Sequence, residues 1–298
     1  MRTALHALGI GTGSRPAVVA AVARRAEARG FATVWSGEHV VLVDEPASRY
    51  PYSPDGRIAI PAAADWLDPL LTLGFAAACT TTIRLATGVL LLPEHNTVVV
   101  AKQAASLDRL SGGRFTLGVG IGWSREEFAA LGVPFARRAD RCAAYVAAMR
   151  TLWRDEIASY TSEFVSFDAI RVNPKPDQPT IPVMLGGNSD PALRRVAEWG
   201  DGWYGFGLDG VGAAAERLDT LTRLCEEAGR DRGELVIAVA LRSPTAADRQ
   251  ALADLGVDEL VLVESPPETG VGAWVDQLAD QWLDRHRPEE TASPRQAY

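Results

Sequence analysis

The run IRLATGVLLLPEHNTVVVAKQAASLDRLSGGRFTLGVGIGW, residues 83–123, opens on a short apolar stretch (83–91). It passes through a longer helix-period stretch and returns to a second apolar stretch at 115–120. Both short stretches are apolar on their two faces, the mark of strands in a parallel sheet covered by helices. The same alternation extends outward in both directions. Further strands are predicted at 3–8, 33–36, 181–185, 202–204, 235–240 and 259–263, making eight. Helix starts lie between them. Asp68-Pro69, Asp190-Pro191 and Ser243-Pro244 each place a capping side chain before a proline. Ser124-Arg-Glu-Glu127 reads as a capping box, and Gly30, Gly200 and Gly229 fall where C-terminal caps belong. Eight such units in 298 residues predict an α/β fold, a closed (β/α)8 TIM barrel. A doubly wound open sheet is the alternative.

Two stretches interrupt the rhythm. Residues 40–67 carry four prolines together with Tyr50 and Tyr52. They follow the second strand, so in a barrel they lie at the carboxyl ends of the strands, where active sites are built, and read as a lid. Residues 157–180 read as an extended arm or hairpin before the fifth strand, ending in the turn-rich NPKPDQP (173–179). The barrel domain is expected to span 1–284, with 285–298 as a polar, mobile tail.

Composition narrows the function. Lys plus Arg is 30 against 38 Asp plus Glu, a net charge of −8. A surface that acidic argues against a duplex nucleic-acid binder or a polybasic membrane docker. Cys79, Cys142 and Cys225 are odd in number and widely spaced, which excludes a disulfide framework and a Cys-x-x-Cys pair. The longest uncharged stretch, 69–83, has 15 residues, short of the about 20 that a spanning helix needs. The opening MRTALHALGIGTGS reads as a first strand rather than a secretion signal. A cytoplasmic, soluble protein is expected.

Chemistry-bearing motifs are few. Gly9, Gly11 and Gly13, and again Gly118, Gly120 and Gly122, put glycine at every second position, which is not the G-x-G-x-x-G of a dinucleotide fold. They fit either a tight strand-to-loop transition or a close backbone approach to a flat ligand or phosphate. Gly186-Gly187-Asn188-Ser189 follows a strand and opens a helix. It reads either as an ordinary turn or as a phosphate seat on free N–H groups. His39, after Glu38 at the end of the second strand, stands where a barrel presents a proton donor or acceptor. No HExxH-like cluster marks a metal and no G-x-S-x-G elbow marks a serine nucleophile.

Taken together, WSGEHV (35–40), ATGVLLLPEHNTVVVAKQAASLDRLSGGRFTLGVGIGW (86–123), EEF (126–128) with LGVP (131–134), PVMLGGNSDPALRRVAEWGDGW (182–203) and LGVDELVL (255–262) resemble the bacterial luciferase-like monooxygenase superfamily. Within it they resemble the deazaflavin (coenzyme F420)-dependent oxidoreductases. The resemblance implies a TIM barrel with its site at the carboxyl ends of the strands and a homodimer built on early helices. Glu38 and His39 match the acidic-His pair beside the reactive face of the ring, with Glu38 orienting His39 or touching the ring. Gly88 and Val89 match a non-prolyl cis peptide under the ring. Gly120, Ile121, Gly122 and Trp123 match the segment along the ribityl chain. Gly186, Gly187, Asn188 and Ser189 match the phosphate seat.

Departures are also plain. Trp123 stands where the sugar-phosphate dehydrogenases of the group carry an acid, and Ile121 near where luciferases carry a phosphate-binding Arg. The expected activity is hydride transfer between coenzyme F420 and a small organic molecule. The alternatives are an FMN-dependent monooxygenase using reduced flavin and oxygen, and a non-catalytic flavin-binding barrel.

Overall fold

A computed structural model describes residues 1–283; the predicted tail at 285–298 lies outside the described residues. The chain runs β1 (Arg2–Leu8), α1 (Pro16–Arg29), β2 (Thr33–Ser36), α2 (Pro69–Ala77), β3 (Arg84–Thr87), β4 (Leu90–Leu91), α3 (Thr97–Ser111) and β5 (Phe115–Gly120). It continues through α4 (Arg125–Ala130), α5 (Arg138–Arg154), β6 (Ala158–Thr161), β7 (Ser166–Ile170), β8 (Val183–Gly186), α6 (Asp190–Trp199), β9 (Gly202–Leu208) and α7 (Gly210–Glu227). It ends with β10 (Val236–Leu241), α8 (Ala246–Asp254), β11 (Glu259–Val263) and α9 (Val271–Trp282). Parallel pairing follows the order β3-β2-β1-β11-β10-β9-β8-β5, and β3 pairs with β5 to close the ring. The result is a closed eight-stranded parallel barrel, as the alternation predicts.

Inward-facing side chains explain how so narrow a barrel fills. Ala4, Ala86, Ala238 and Ala240 leave room for Trp35 and Tyr204, whose rings stack with centroids 4.6 Å apart. Outward-facing strand residues join the helix faces in a second, larger apolar layer. At about 25 cal/mol per Å² of apolar surface, these two layers are the main source of stability.

Several local expectations shift. The predicted strand 83–91 is two pieces, β3 and β4, separated by a cis peptide at Gly88-Val89; periodicity alone does not reveal such a break. Asp68 caps α2 by accepting from Leu71 N–H at 2.8 Å, as expected. The last cap is not Ser243 before Pro244: α8 starts two residues later on a Thr245–Asp248 capping box. Ser189 rather than Asp190 is the N-cap of α6. Gly30 and Gly229 adopt the left-handed conformation, whereas Gly200 does not, at φ −76°. Residues 158–170 form the expected hairpin, β6 against β7.

Candidate active site

The carboxyl ends of the strands gather the chemistry. His39 lies just beyond β2, its side chain almost buried. Its Nδ1 is 2.8 Å from Glu127 Oε2 on α4, and its Nε2 accepts from Trp123 Nε1–H at 3.3 Å. Indole N–H only donates and a carboxylate only accepts. The network therefore places the imidazole proton on Nδ1 and leaves Nε2 as an acceptor. Trp66 and Trp123 meet the ring edge-on, with centroids 5.0 and 5.7 Å away. Glu127 is fully buried and also accepts from Val40 N–H at 2.7 Å and Val41 N–H at 3.1 Å.

The expected partnership between Glu38 and His39 is divided in the structure. Glu38 turns away, accepting from Leu91 N–H at 2.6 Å and pairing with His95 Nε2 at 3.0 Å. Burial works against a charged His95, but the Glu38 hydrogen bond and charge raise its pKa. Glu127 is the carboxylate that holds His39, and reading it as half of a capping box hid this. Ser124 does cap α4 by accepting Glu127 N–H at 3.2 Å. The Glu127 side chain, however, goes to the mouth instead of back to the cap.

A third carboxyl, Glu94, is 7% exposed, and neither of its oxygens has a hydrogen-bond partner among the described residues. Burial, then the charges of Glu127 and Glu38, push its pKa up to about 9. It is therefore a neutral acid at pH 7. Its Oε1 lies 3.0 Å from where a Cβ on Gly122 would stand.

The glycine ladders have a packing reason. A Cβ on Gly118 would fall 1.9 Å from Thr87 O, and one on Gly120 would fall 2.6 Å from Val89 Cγ2. A Cβ on Gly186 would approach Val89 Cγ1 at 3.0 Å. The Val89 side chain thus occupies the space the two glycines leave, between β5 and β8, and joins Phe206 atop the barrel interior. His6, on the inner face of β1, lies beneath Gly88. Its Nδ1 is 2.9 Å from Tyr204 Oη, and burial lowers its pKa to about 4.

Opposite His39, the turn Gly186–Ser189 leads into α6. Gly187 has φ +112°, and a side chain there would meet Ala192 Cβ at 2.8 Å. Asn188 Nδ2 donates to Phe206 O at 2.8 Å, which fixes the amide and leaves its buried Oδ1 without a partner. Ser189 makes no side-chain cap.

Residues 40–67 arch over this floor without regular structure, pinned at several points. Glu126 accepts Ala47 N–H and Ser48 N–H, Trp66 Nε1–H donates to Gly37 O, and Arg242 donates to Tyr52 O. Tyr50 packs on Trp123, and Tyr52 on Phe206, each with centroids 5.4 Å apart. Burial raises both phenol pKa values, that of Tyr52 to about 12. A small cavity of about 20 Å³, room for about one water, remains beside His39, lined by Val41, Leu42, Val43, Ile58 and Trp123. Among the described residues no group of three or more His, Cys, Asp or Glu converges to hold a metal ion, and no helix is long and apolar enough to cross a membrane.

An α/β barrel with a covered mouth and a carboxylate-held imidazole defines an enzyme-like site. The chain belongs to the luciferase-like monooxygenase family, whose profile matches residues 3–294. An uncharacterised protein of Mycobacterium tuberculosis is 36% identical over 277 residues, covering 92% of this chain and 97% of that protein. Among solved structures, the coenzyme F420-dependent tetrahydromethanopterin reductase of Methanopyrus kandleri superposes with a TM-score of 0.74 at 15% identity, covering 95% of this chain and 98% of the other. The FMN-bound oxygenating constituent of 3,6-diketocamphane monooxygenase from Pseudomonas putida gives a TM-score of 0.61 at 20% identity, covering 80% and 66%. At these identities the two structures bear on the fold.

Proposed function

We propose that the protein is a coenzyme F420-dependent oxidoreductase that moves a hydride between the cofactor and a small organic molecule, acting as a cytoplasmic homodimer. One observation carries the reading. His39 is held in a single tautomer by Glu127, with Nε2 as an acceptor, at the rim of a barrel floored by Val89. Bound F420 supplies a ring carbon that gives or receives a hydride. His39 Nε2 takes the proton that accompanies the hydride, or returns it, once the Trp123 N–H is displaced. Glu127 keeps the imidazole oriented and stabilises its charged form, and Glu38 steadies the neighbouring backbone through Leu91 N–H.

The mouth fits such a group. Val89 offers a flat apolar floor beside Gly120, Ile121 and Gly122. The orphan Oδ1 of Asn188 suits a hydroxyl donor of a ribityl-like chain. The left-handed Gly187 and the free Ser189 side chain suit an anion at the helix start. Ligand pockets run roughly 300–1,000 Å³, so the Tyr50–Tyr52 stretch of the lid has to swing outward to admit a tricyclic ring. An FMN-dependent monooxygenase is the second reading, favoured by 30% identity over 187 residues to the pyrimidine monooxygenase RutA of Allorhizobium ampelinum.

Homodimer formation is supported by Leu71 and Phe75 on α2 and by Val99 and Leu110 on α3, all exposed on adjoining helices. Leu71→Glu is expected to yield a monomer in sedimentation.

The deciding experiment titrates the protein with F420 and with FMN, following cofactor absorbance and fluorescence, and then assays His39→Ala and His39→Gln with the cofactor that binds. Tight F420 binding together with loss of turnover in both variants supports the proposal. Binding of FMN alone would reverse the order of the two readings.

A further inference from the structure

Val40, Val41, Leu42 and Val43 are consecutive aliphatic residues on a stretch without helix or strand. Single apolar side chains on a surface need no explanation, but a run of them at a barrel mouth lines something. The run is also held firmly. Glu127 accepts Val40 N–H and Val41 N–H at its head. The preceding residue of α4, Glu126, accepts Ala47 N–H at 2.8 Å and Ser48 N–H at 3.0 Å further along. Arg125 N–H donates to Ser48 Oγ at 3.0 Å. Consecutive residues at the start of α4 therefore clamp both ends of segment 40–48. Hydrogen bonds, that of the Ser48 side chain first, hold the Glu126 pKa down at about 2, so the clamp stays charged at neutral pH.

Between the clamps, Val41, Leu42, Val43 and Pro46 line the small cavity beside His39, which Ile58 and the Trp123 ring complete. Asp44 and Glu45, in the same segment, are exposed. At about 20 Å³ the cavity has room for one methyl-sized group. Its mostly aliphatic lining offers a water few partners, and a methyl group many contacts. The wall hangs on the carboxylate that orients His39, so its place relative to the imidazole is kept when the Tyr50–Tyr52 stretch moves. At the imidazole, the Trp123 N–H donor and the Nε2 acceptor stand 3.3 Å apart. A hydroxyl group accepts from the one and donates to the other.

We propose that residues 41–46, clamped to α4 by Glu126 and Glu127, form a specificity notch that admits an alkyl arm of one or two carbons and turns longer arms away. This rests on the hydride-transfer reading and adds the size and polarity of the substrate. It is a small molecule with an oxygen at His39 and a short aliphatic arm beside it. Val43 and Ile58 limit the depth of the notch.

The test titrates the methyl-labelled full chain with the primary alcohols from ethanol to octanol by nuclear magnetic resonance, alone and then with F420 or FMN added. On a featureless apolar patch, affinity grows about fourfold with each methylene. In wild type the Val41, Val43 and Ile58 methyl signals are expected to shift, and the gain per methylene to stop at propanol. Ile58→Ala is expected to carry the gain two carbons further, so that pentanol binds about tenfold tighter than to wild type. Glu126→Ala is expected to erase the cut-off with Tm unchanged, whereas Glu126→Gln, which still presents a carbonyl acceptor, keeps it. Unbroken growth to octanol in wild type, or a cut-off that neither Ile58→Ala nor Glu126→Ala moves, overturns the proposal. So do notch methyl groups that respond to a cofactor and to no alcohol. If the cut-off holds and neither cofactor binds, the notch stands and the hydride-transfer reading falls. A bound cofactor without any cut-off removes the notch and leaves that reading in place.

Discussion

The two ends of the barrel differ in how many of their buried acids and amides are left unpaired. At the amino end, Arg114 enters β5 with five hydrogen bonds to Ser111 O, Thr80 Oγ1, Ile83 O, Ala77 O and Thr80 O. Asp108 accepts from two backbone N–H groups and the Gln178 amide. Glu259 accepts from Thr33 and Trp35. At the carboxyl end Glu127 and Glu38 are as well engaged, but among the described residues Glu94 has no partner on either oxygen and Asn188 Oδ1 has none. A buried polar group left unpaired costs about 1–3 kcal/mol. The carboxyl end therefore gives up some stability at Glu94 and Asn188, whereas the unpaired atom on the amino side, Arg232 Nε, belongs to a guanidinium that still donates to Leu255 O. Each substitution below asks whether that division is real.

The largest effect is expected at the foot. Arg114→Met strands several carbonyls and the Thr80 hydroxyl, and should destabilise by about 3 kcal/mol. In a chain of this size that lowers Tm by roughly 6–12 °C, while cofactor affinity at low temperature stays as in wild type. A melt within 2 °C of wild type would erase the contrast between the ends.

Glu127→Gln tests the mouth. The amide is nearly isosteric, but it cannot stabilise an imidazolium and brings an N–H of its own toward His39. Turnover should fall about 100-fold, within the range for general acid–base groups, with cofactor Kd moved less than about threefold and Tm almost unchanged. A collapse in Tm instead would mean that Glu127 serves the fold, much as Glu259 does.

These two carboxylates also show what could be read from sequence and what could not. The barrel was legible because eight strands apolar on both faces admit few arrangements. His39 and the Gly186–Ser189 turn were legible as candidates because they lie at strand ends, where the fold brings residues to one rim. Glu127 was misread because local rules see only spacing: a Glu three residues after Ser at a helix start has the pattern of a cap. Its real partners, Val40 and Val41, lie 87 and 86 residues away in sequence. Gly120 and Gly186 signalled a close approach correctly, but nothing in their spacing names Val89 as the group that fills the space.

The lid offers a third way to sharpen the comparison, since it is latched from the carboxyl end alone. Arg242 donates to Tyr52 O and pairs with Asp209 on the loop after β9. Arg242→Ala removes an exposed latch and should speed cofactor association about fivefold in stopped-flow traces, with Tm within 1 °C. No change in rate would mean that Tyr50 and Tyr52 do not gate entry.

The smallest effect has the clearest sign. Glu94 keeps its proton in the folded chain up to about pH 9, whereas unfolded it would lose it near the ordinary glutamate value of about 4.3. Between those limits the folded state binds more protons than the unfolded one, so stability declines as pH rises. The contribution is full below about pH 4 and is progressively lost up to about pH 9. The charged groups bearing on it are Glu127 on α4 and Glu38 after β2. On the α5 side, Arg138 and Arg141 are engaged on backbone carbonyls. Glu94→Gln is neutral at every pH and removes that slope. It should raise Tm clearly at pH 8 and by much less at pH 5, the gain growing steadily with pH between the two. A variant that melts below wild type at pH 8 would show that the Glu94 carboxyl has a donor, placing it with Glu259 among the satisfied acids rather than with the groups the mouth leaves unpaired.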